Sequence, residues 1–188
     1  PTMAAAPSGG LVLVGSSVDL TSAGTTYATI VIDQCFSSTY ENYLIVGVIG
    51  VEAGGNVRLQ WRVGGAGSES THTTGNYRYV GMDYENDGAS LTKVELAHET
   101  DSEIPIAVDV TAHISDGSHF NMWVYSPMNT ETDTIARLTS SVYRAGNDLS
   151  DRTATLNVPN VDATGFLIAN SSGDMDEHAI YVYGIVKS

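Results

Sequence analysis

The side chains able to do chemistry in this chain occur as fragments of familiar motifs, and each fragment lacks a member. Asp83, Glu85 and Asp87 stand at alternate positions with Gly88 next, which is how a calcium-binding loop begins. Such a loop needs a bidentate carboxylate at its twelfth position, where this chain has Val94, with Glu95 one residue late. A solvated surface turn is therefore expected there, and likewise at the acidic group Asp174, Asp176 and Glu177. His98-Glu99 opens the helical zinc motif HExxH, but Ser102 takes the place of the second histidine and the local pattern is not helical. Ser90 and Lys93 fit SxxK, yet neither SDN nor KTG accompanies them. The five histidines (His72, His98, His113, His119, His178) lie on separate segments. His113 and His119 flank one turn, and two imidazoles without a third ligand hold a metal poorly. No GxSxG elbow, GxxxxGK loop or GxGxxG fingerprint occurs. The expectation is no catalytic residue, no metal and no cofactor.

The aromatic residues say more. With Phe120, Met122 and Val124 facing a core, Asn121, Trp123 and Tyr125 face outward. Tyr77 and Tyr79 flank Arg78 on one face, and Tyr181 and Tyr183 pair in the same way. Outward aromatics on a sheet pack under a loop, form a subunit interface, or offer a stacking platform for sugars. Tyr77, Tyr79, Trp123 and Tyr125 are thus the candidate glycan or interface contacts. Residues 1–10 are a small-residue arm too poor in bulk to join a core, which makes Pro7, Ser8, Gly9 and Gly10 the candidate attachment segment.

The elements that must position these residues repeat with a period of two. Strands are expected at 11–18, 26–33, 43–50, 56–63, 93–99, 104–114, 119–126, 134–143, 153–158, 164–170 and 178–186. Turn signals such as Asp116-Gly117, Pro159-Asn160 and Ser172-Gly173 separate them. Pro105 places its strand at a sheet edge or marks its beginning. Ser38 and Glu41 have capping-box spacing, so one helical turn is expected before Tyr43. LIVGVI lacks alternation, which predicts a strand buried on both faces, either under a loop or by a neighbouring subunit. Residues 64–75 form the longest expected exposed connection. The expected fold is one all-β, antiparallel, jelly-roll-like β-sandwich over residues 11–188 preceded by the arm 1–10.

Composition narrows the partners. The chain has 188 residues, 22 acidic against 8 basic, for a net charge of −14. Such a surface repels phosphate backbones and anionic lipid, and the eight cations are scattered, so no nucleic-acid partner is expected. YLIVGVIG is far short of the roughly 20 apolar residues that span a bilayer, so no membrane insertion is expected. PTMAAAPSGG has neither a basic n-region nor an apolar h-region, which reads as no signal peptide and synthesis in a cytoplasm. The single cysteine, Cys35, beside Phe36, reads as a buried small hydrophobe.

Four segments carry a family resemblance: LVLVGSS from residue 11, CFSSTYENYLIVGVIGV from 35, NVRLQWRVGGAGSES from 56, and the closing AIYVYGIVKS. Their order resembles the β-sandwich domains of tailed-bacteriophage appendage proteins, especially tail-fibre and related virion proteins. Glu41-Asn42 departs mildly from that family's Tyr-Asp-x-Tyr run, and residues 65–100 match little. The resemblance implies a structural virion protein with a jelly-roll-like fold, trimeric or otherwise assembled with copies of itself and other virion proteins. It carries no enzymatic residues across. Loops displayed toward a host surface glycan would act by multivalency. A capsid decoration or knob protein is the alternative in the same setting, and a free carbohydrate-binding module the alternative outside it.

Overall fold

The structure is a computed structural model that describes residues 10–20, 27–51, 55–73, 77–86, 90–110, 119–144, 148–171 and 175–186. Its strands are β1 (Leu11–Asp19), β2 (Thr29–Ile32), β3 (Asn42–Val51), β4 (Gly55–Val63), β5 (Ser70–Thr71), β6 (Tyr77–Asn86), β7 (Leu91–Asp101), β8 (Ile104–Val110), β9 (His119–Tyr125), β10 (Thr134–Arg144), β11 (Asp148–Val158), β12 (Ala163–Asn170) and β13 (Met175–Ile185). No helix occurs among the described residues. Every pairing is antiparallel, and the strands stack as a sandwich.

The larger sheet runs β1-β13-β3-β9-β10-β11-β6-β7. The smaller is β8-β4-β12-β2, with β5 beside the end of β4. One pairing, Arg144 with Val110, links β10 to β8, so the two sheets share a hydrogen-bonded corner. Alternation dictates what lies between them. The smaller sheet contributes Ile30, Ile32, Leu59, Trp61, Ile104, Phe166 and Ile168, and the larger contributes Tyr43, Ile45, Met122, Val124, Leu138 and Val182. Phe36 rises from the 33–41 connection and meets Tyr43, Trp61 and Phe166 edge-on or tilted, with ring centroids 4.8, 5.8 and 6.2 Å away. Burial of each such ring contributes about 1.5–3 kcal/mol.

Three expectations need correction. No helical turn precedes β3: Ser37, not Ser38, organises a turn, its carbonyl accepting from Tyr40 N–H and its hydroxyl from Thr39 N–H. Tyr43 locks this turn, because its hydroxyl donates to the Ser37 carbonyl and accepts from the Ser37 N–H, both at 2.7 Å. Secondly, within the chain β3 is buried on one face only, and no loop among the described residues covers the other. Tyr43, Ile45, Gly47 and Ile49 point into the sandwich, while Leu44, Val46 and Val48 lie half-buried on the outside. Gly47 hides the alternation by sitting where a side chain would meet the Phe120 ring at 2.3 Å. Thirdly, 83–86 is no surface turn but the end of β6, a strand the periodicity passed over. Asp87 and Gly88 lie outside the described residues, as do His113, Asp116, Gly117, Ser172, Gly173 and Asp174.

Glu177, also expected in a solvated turn, is instead buried on β13. Pro105 lies at the start of β8, where it faces Arg58 of β4, and β10 meets β8 only at Val110. Cys35 is buried, its thiol donating toward the Ile32 carbonyl at 3.6 Å, and burial pushes the thiol well above its ordinary pKa. The 64–73 connection is exposed at its tip but includes β5. Gly64 needs its glycine: its φ is +104° and a side chain would meet the Ser68 carbonyl at 2.7 Å.

Candidate interaction face

The outer face of the larger sheet is built from alternate residues of eight strands. Reading the pairings across it, one row runs Leu13, Tyr183, Leu44, Trp123, Arg137, Thr155, Val80, Ala97. The next runs Ser16, Tyr181, Val46, Asn121, Thr139, Thr153, Met82, Glu95. Strands lie about 4.8 Å apart, so the whole face is roughly 35 Å wide. Its character changes at β10. From β1 to β9 the face is aliphatic and aromatic, with Leu13 54% and Trp123 41% exposed. From β10 to β6 it carries Thr139, Thr153, Thr155 and Asn157 with Arg137 and Arg78, interspersed with exposed Ile135, Val80, Met82, Tyr84 and Leu149.

Charge is segregated as sharply. None of the outward residues on β1, β3, β9 and β10, nor on β13 from Ala179 to Ile185, is acidic, in a chain with 22 acids. Among cations whose side chains are described, Arg58 pairs with Glu103, Arg62 with Asp33, Lys93 with Glu95 and Arg152 with Asp83. Arg78 and Arg137 are the two with no carboxylate partner among the described residues, and both stand on this outer face.

The inward side beneath the two ends differs as well. Under β13, β3 and β9 lies the aromatic core. Under β11 and β6 lies a buried ion pair, Arg152 Nη2 donating to Asp83 Oδ2 at 2.7 Å with both side chains 3% exposed. Ser150 donates to the other Asp83 oxygen, and Arg152 Nη1 donates to the Pro105 carbonyl at 3.3 Å, which ties the larger sheet to β8. Arg152 Nε keeps no partner, so the pair is incompletely satisfied.

The four candidate aromatics do not form one platform. Trp123 and Tyr125 lie on the outer face, exposed and half-buried respectively. Tyr77 is fully buried on the opposite face of the sheet. Its hydroxyl donates to the His72 carbonyl and accepts from Trp61 N–H, and burial raises its pKa far above that of a free phenol. Tyr77 is therefore a core residue and no surface contact. Tyr79, two residues on, shares that inward side and is half-buried. The error came from assuming that paired tyrosines on a strand face water, when the phenol here closes two backbone groups inside. Tyr181 and Tyr183, by contrast, stand next to Val46 and Leu44 on the outer face and join Trp123.

Of the attachment segment, Pro7, Ser8 and Gly9 lie outside the described residues. Gly10 is half-buried, and its carbonyl accepts from Val186 N–H at 3.1 Å, so β1 begins beside the end of β13. Among the described residues no group of three or more His, Cys, Asp or Glu side chains is arranged to hold a metal. His178 is buried on the inner side, its Nε2 2.8 Å from Ser17 Oγ and its ring edge-on to Tyr27. Burial lowers its pKa, and Asp19 opposes that shift in part. No described helix is long and apolar enough to cross a membrane. No family model, no curated protein and no solved structure matches this chain.

Proposed function

We propose that this chain is a structural component of a tailed-phage particle, an oligomeric, jelly-roll-like β-sandwich appendage of the tail-fibre or receptor-binding kind. Copies associate through the aromatic end of the outer sheet face, and the assembled oligomer displays its remaining surface to host glycans. The observation that supports this most directly is the row Leu13, Tyr183, Leu44 and Trp123, with no acid among the outward residues of β1, β3 and β9 or of β13 from Ala179 to Ile185. Interface centres are rich in Tyr, Trp and aliphatics and poor in charge. A molecule with a net charge of −14 repels its own copies except where its surface lacks carboxylates.

Sedimentation of the wild type and of Leu44→Glu tests the association. The wild type sediments as an oligomer and the variant as a folded monomer; a monomeric wild type at micromolar concentration ends the proposal. Location on the particle separates the two virion readings. Labelled density at the tail supports the appendage, whereas density on the capsid lattice replaces it with a decoration protein.

A further inference from the structure

We infer that the polar end of the outer face, between Arg137 and Arg78, is a binding site for an acidic carbohydrate, one carrying carboxylate or sulfate groups. The inference deepens the glycan-display part of the proposed function and rests on it, but it does not depend on how the copies associate.

Three observations converge there. First, the two arginines are the described cations without a carboxylate partner, in a chain where carboxylates outnumber cations 22 to 8. With no carboxylate partner among the described residues, each guanidinium can take an anion from outside. Second, a cleft of about 310 Å³ opens beside Arg78, lined by Val80, Ala97, Thr155 and Asn157. Val80, one of its lining residues, is 63% exposed and offers apolar surface to a sugar face. Third, the register places hydrogen-bonding groups between the cations. Thr155 on β11 pairs with Arg137 on β10, and Asn157, two residues along, pairs with Arg78 on β6. Two strand spacings across and two residues along put the arginine Cα atoms about 12 Å apart. That separation suits charges one or two sugar rings apart, with threonine hydroxyls and the Asn157 amide facing the ring hydroxyls. Trp123, on the far side of Arg137, adds a stacking surface at the end of the track.

The described acids near this track are already engaged. Asp133 accepts from Asn157 Nδ2 at 2.8 Å, Asp151 accepts from Ser141, and Glu95 pairs with Lys93 at 3.0 Å. A denser polyanion such as nucleic acid meets the repulsion of the rest of the surface, whereas a glycan with one charge per ring or two rings does not bring that charge density.

The test is a glycan array bearing uronate-, sialate- and sulfate-containing glycans beside their neutral counterparts, probed with the wild type, Arg78→Gln, Arg137→Gln and, as control, Lys93→Gln. The expected result is selective binding of acidic glycans that weakens with added salt. Each arginine variant should lower affinity about tenfold or more, the loss of one charged hydrogen bond, while Lys93→Gln leaves it unchanged. Absence of any acidic binder, equal binding of neutral glycans, or retention of binding in the double arginine variant overturns the inference. So does a change in sedimentation of the double variant, since the arginines would then serve contacts between copies. Leu44→Glu distinguishes the two proposals: if it dissociates the oligomer while arginine-dependent single-site binding persists, association and glycan recognition stand separately.

Discussion

The two ends of the larger sheet are made of the same element type and share strands of similar length, yet they are built on opposite principles. At the β13-β3-β9 end both faces are apolar. The inward side packs Tyr43, Ile45, Phe120, Met122 and Val124 against the smaller sheet, and the outward side shows Leu44, Val46, Trp123 and Tyr183. At the β11-β6-β7 end the outward side mixes threonine, asparagine and arginine with exposed Val80, Met82, Tyr84 and Leu149, and the inward side includes the buried Asp83–Arg152 pair. β7 pairs with β6 alone, and its side chains from Leu91 to Glu95 are exposed, so this hairpin overhangs the smaller sheet. The contrast teaches where each end gets its order. One end is stabilised by apolar area removed from water, which tolerates any well-fitting neighbour. The other is held by a directional charge pair, which fixes register but depends on every partner being present.

Deleting a partner at each end separates these principles most strongly. Phe36→Ala at the aromatic end should cost about 3–5 kcal/mol, through lost burial and a cavity among Tyr43, Trp61 and Phe166. Arg152→Ala should cost a similar amount, about 3–5 kcal/mol, because Asp83 is left buried and unpaired. Replacing both members of that pair by Leu and Met should recover most of the loss, and no such recovery follows at Phe36. Chemical denaturation of the three variants beside the wild type measures this, and equal losses for the single and double replacements of the pair would erase the distinction.

A smaller effect is expected on the outer surface. Trp123→Ala should change folding stability by no more than about 0.5 kcal/mol, since the side chain is 41% exposed, while weakening self-association. If its stability loss matched that of Phe36→Ala, the outer aromatic face would be part of the core instead of an interaction surface.

The smallest expected effect is a pH dependence confined to the aromatic end and its neighbour β4. Burial lowers the pKa of His178 and of His72, so the folded protein keeps both rings neutral where the unfolded chain takes up protons. Unfolding therefore gains protons as pH drops below about 6.5, and stability should fall from there downward and stay level above it. Thermal unfolding at pH 7.5 and 5.5 measures the difference, and His178→Gln should reduce it.

The extent to which the fold was legible follows from how each strand carries its pattern. NVRLQWRV and IPIAVDV alternate so cleanly that strand, buried face and edge position could be read from them directly, and HFNMWVY placed Trp123 and Tyr125 outward correctly. β6 was passed over because Gly81, Asp83 and Asn86 are poor strand formers, and its stability comes from β11 and from Arg152, both distant in sequence. The calcium-like run Asp83, Glu85 was misread for the same reason: a buried carboxylate looks like a solvated one until its cation is located. Tyr77 was misplaced because a phenol's side of the sheet is decided by the backbone groups it can satisfy, here from Trp61 and His72.

By itself, then, the sequence determined the class of structure: a period of two repeated along the chain, punctuated by turn residues, has no low-energy outcome other than antiparallel sheets that bury one face. It also determined that the surface would be acidic and that Cys35 would be buried. What only the tertiary structure decided is which strands become neighbours. That choice gathers Leu13, Tyr183, Leu44 and Trp123 from four separate segments into one row, and places Arg78 and Arg137 on one face with no carboxylate partner among the described residues. Both features depend on pairing across long stretches of chain, and no local pattern records a long-range register.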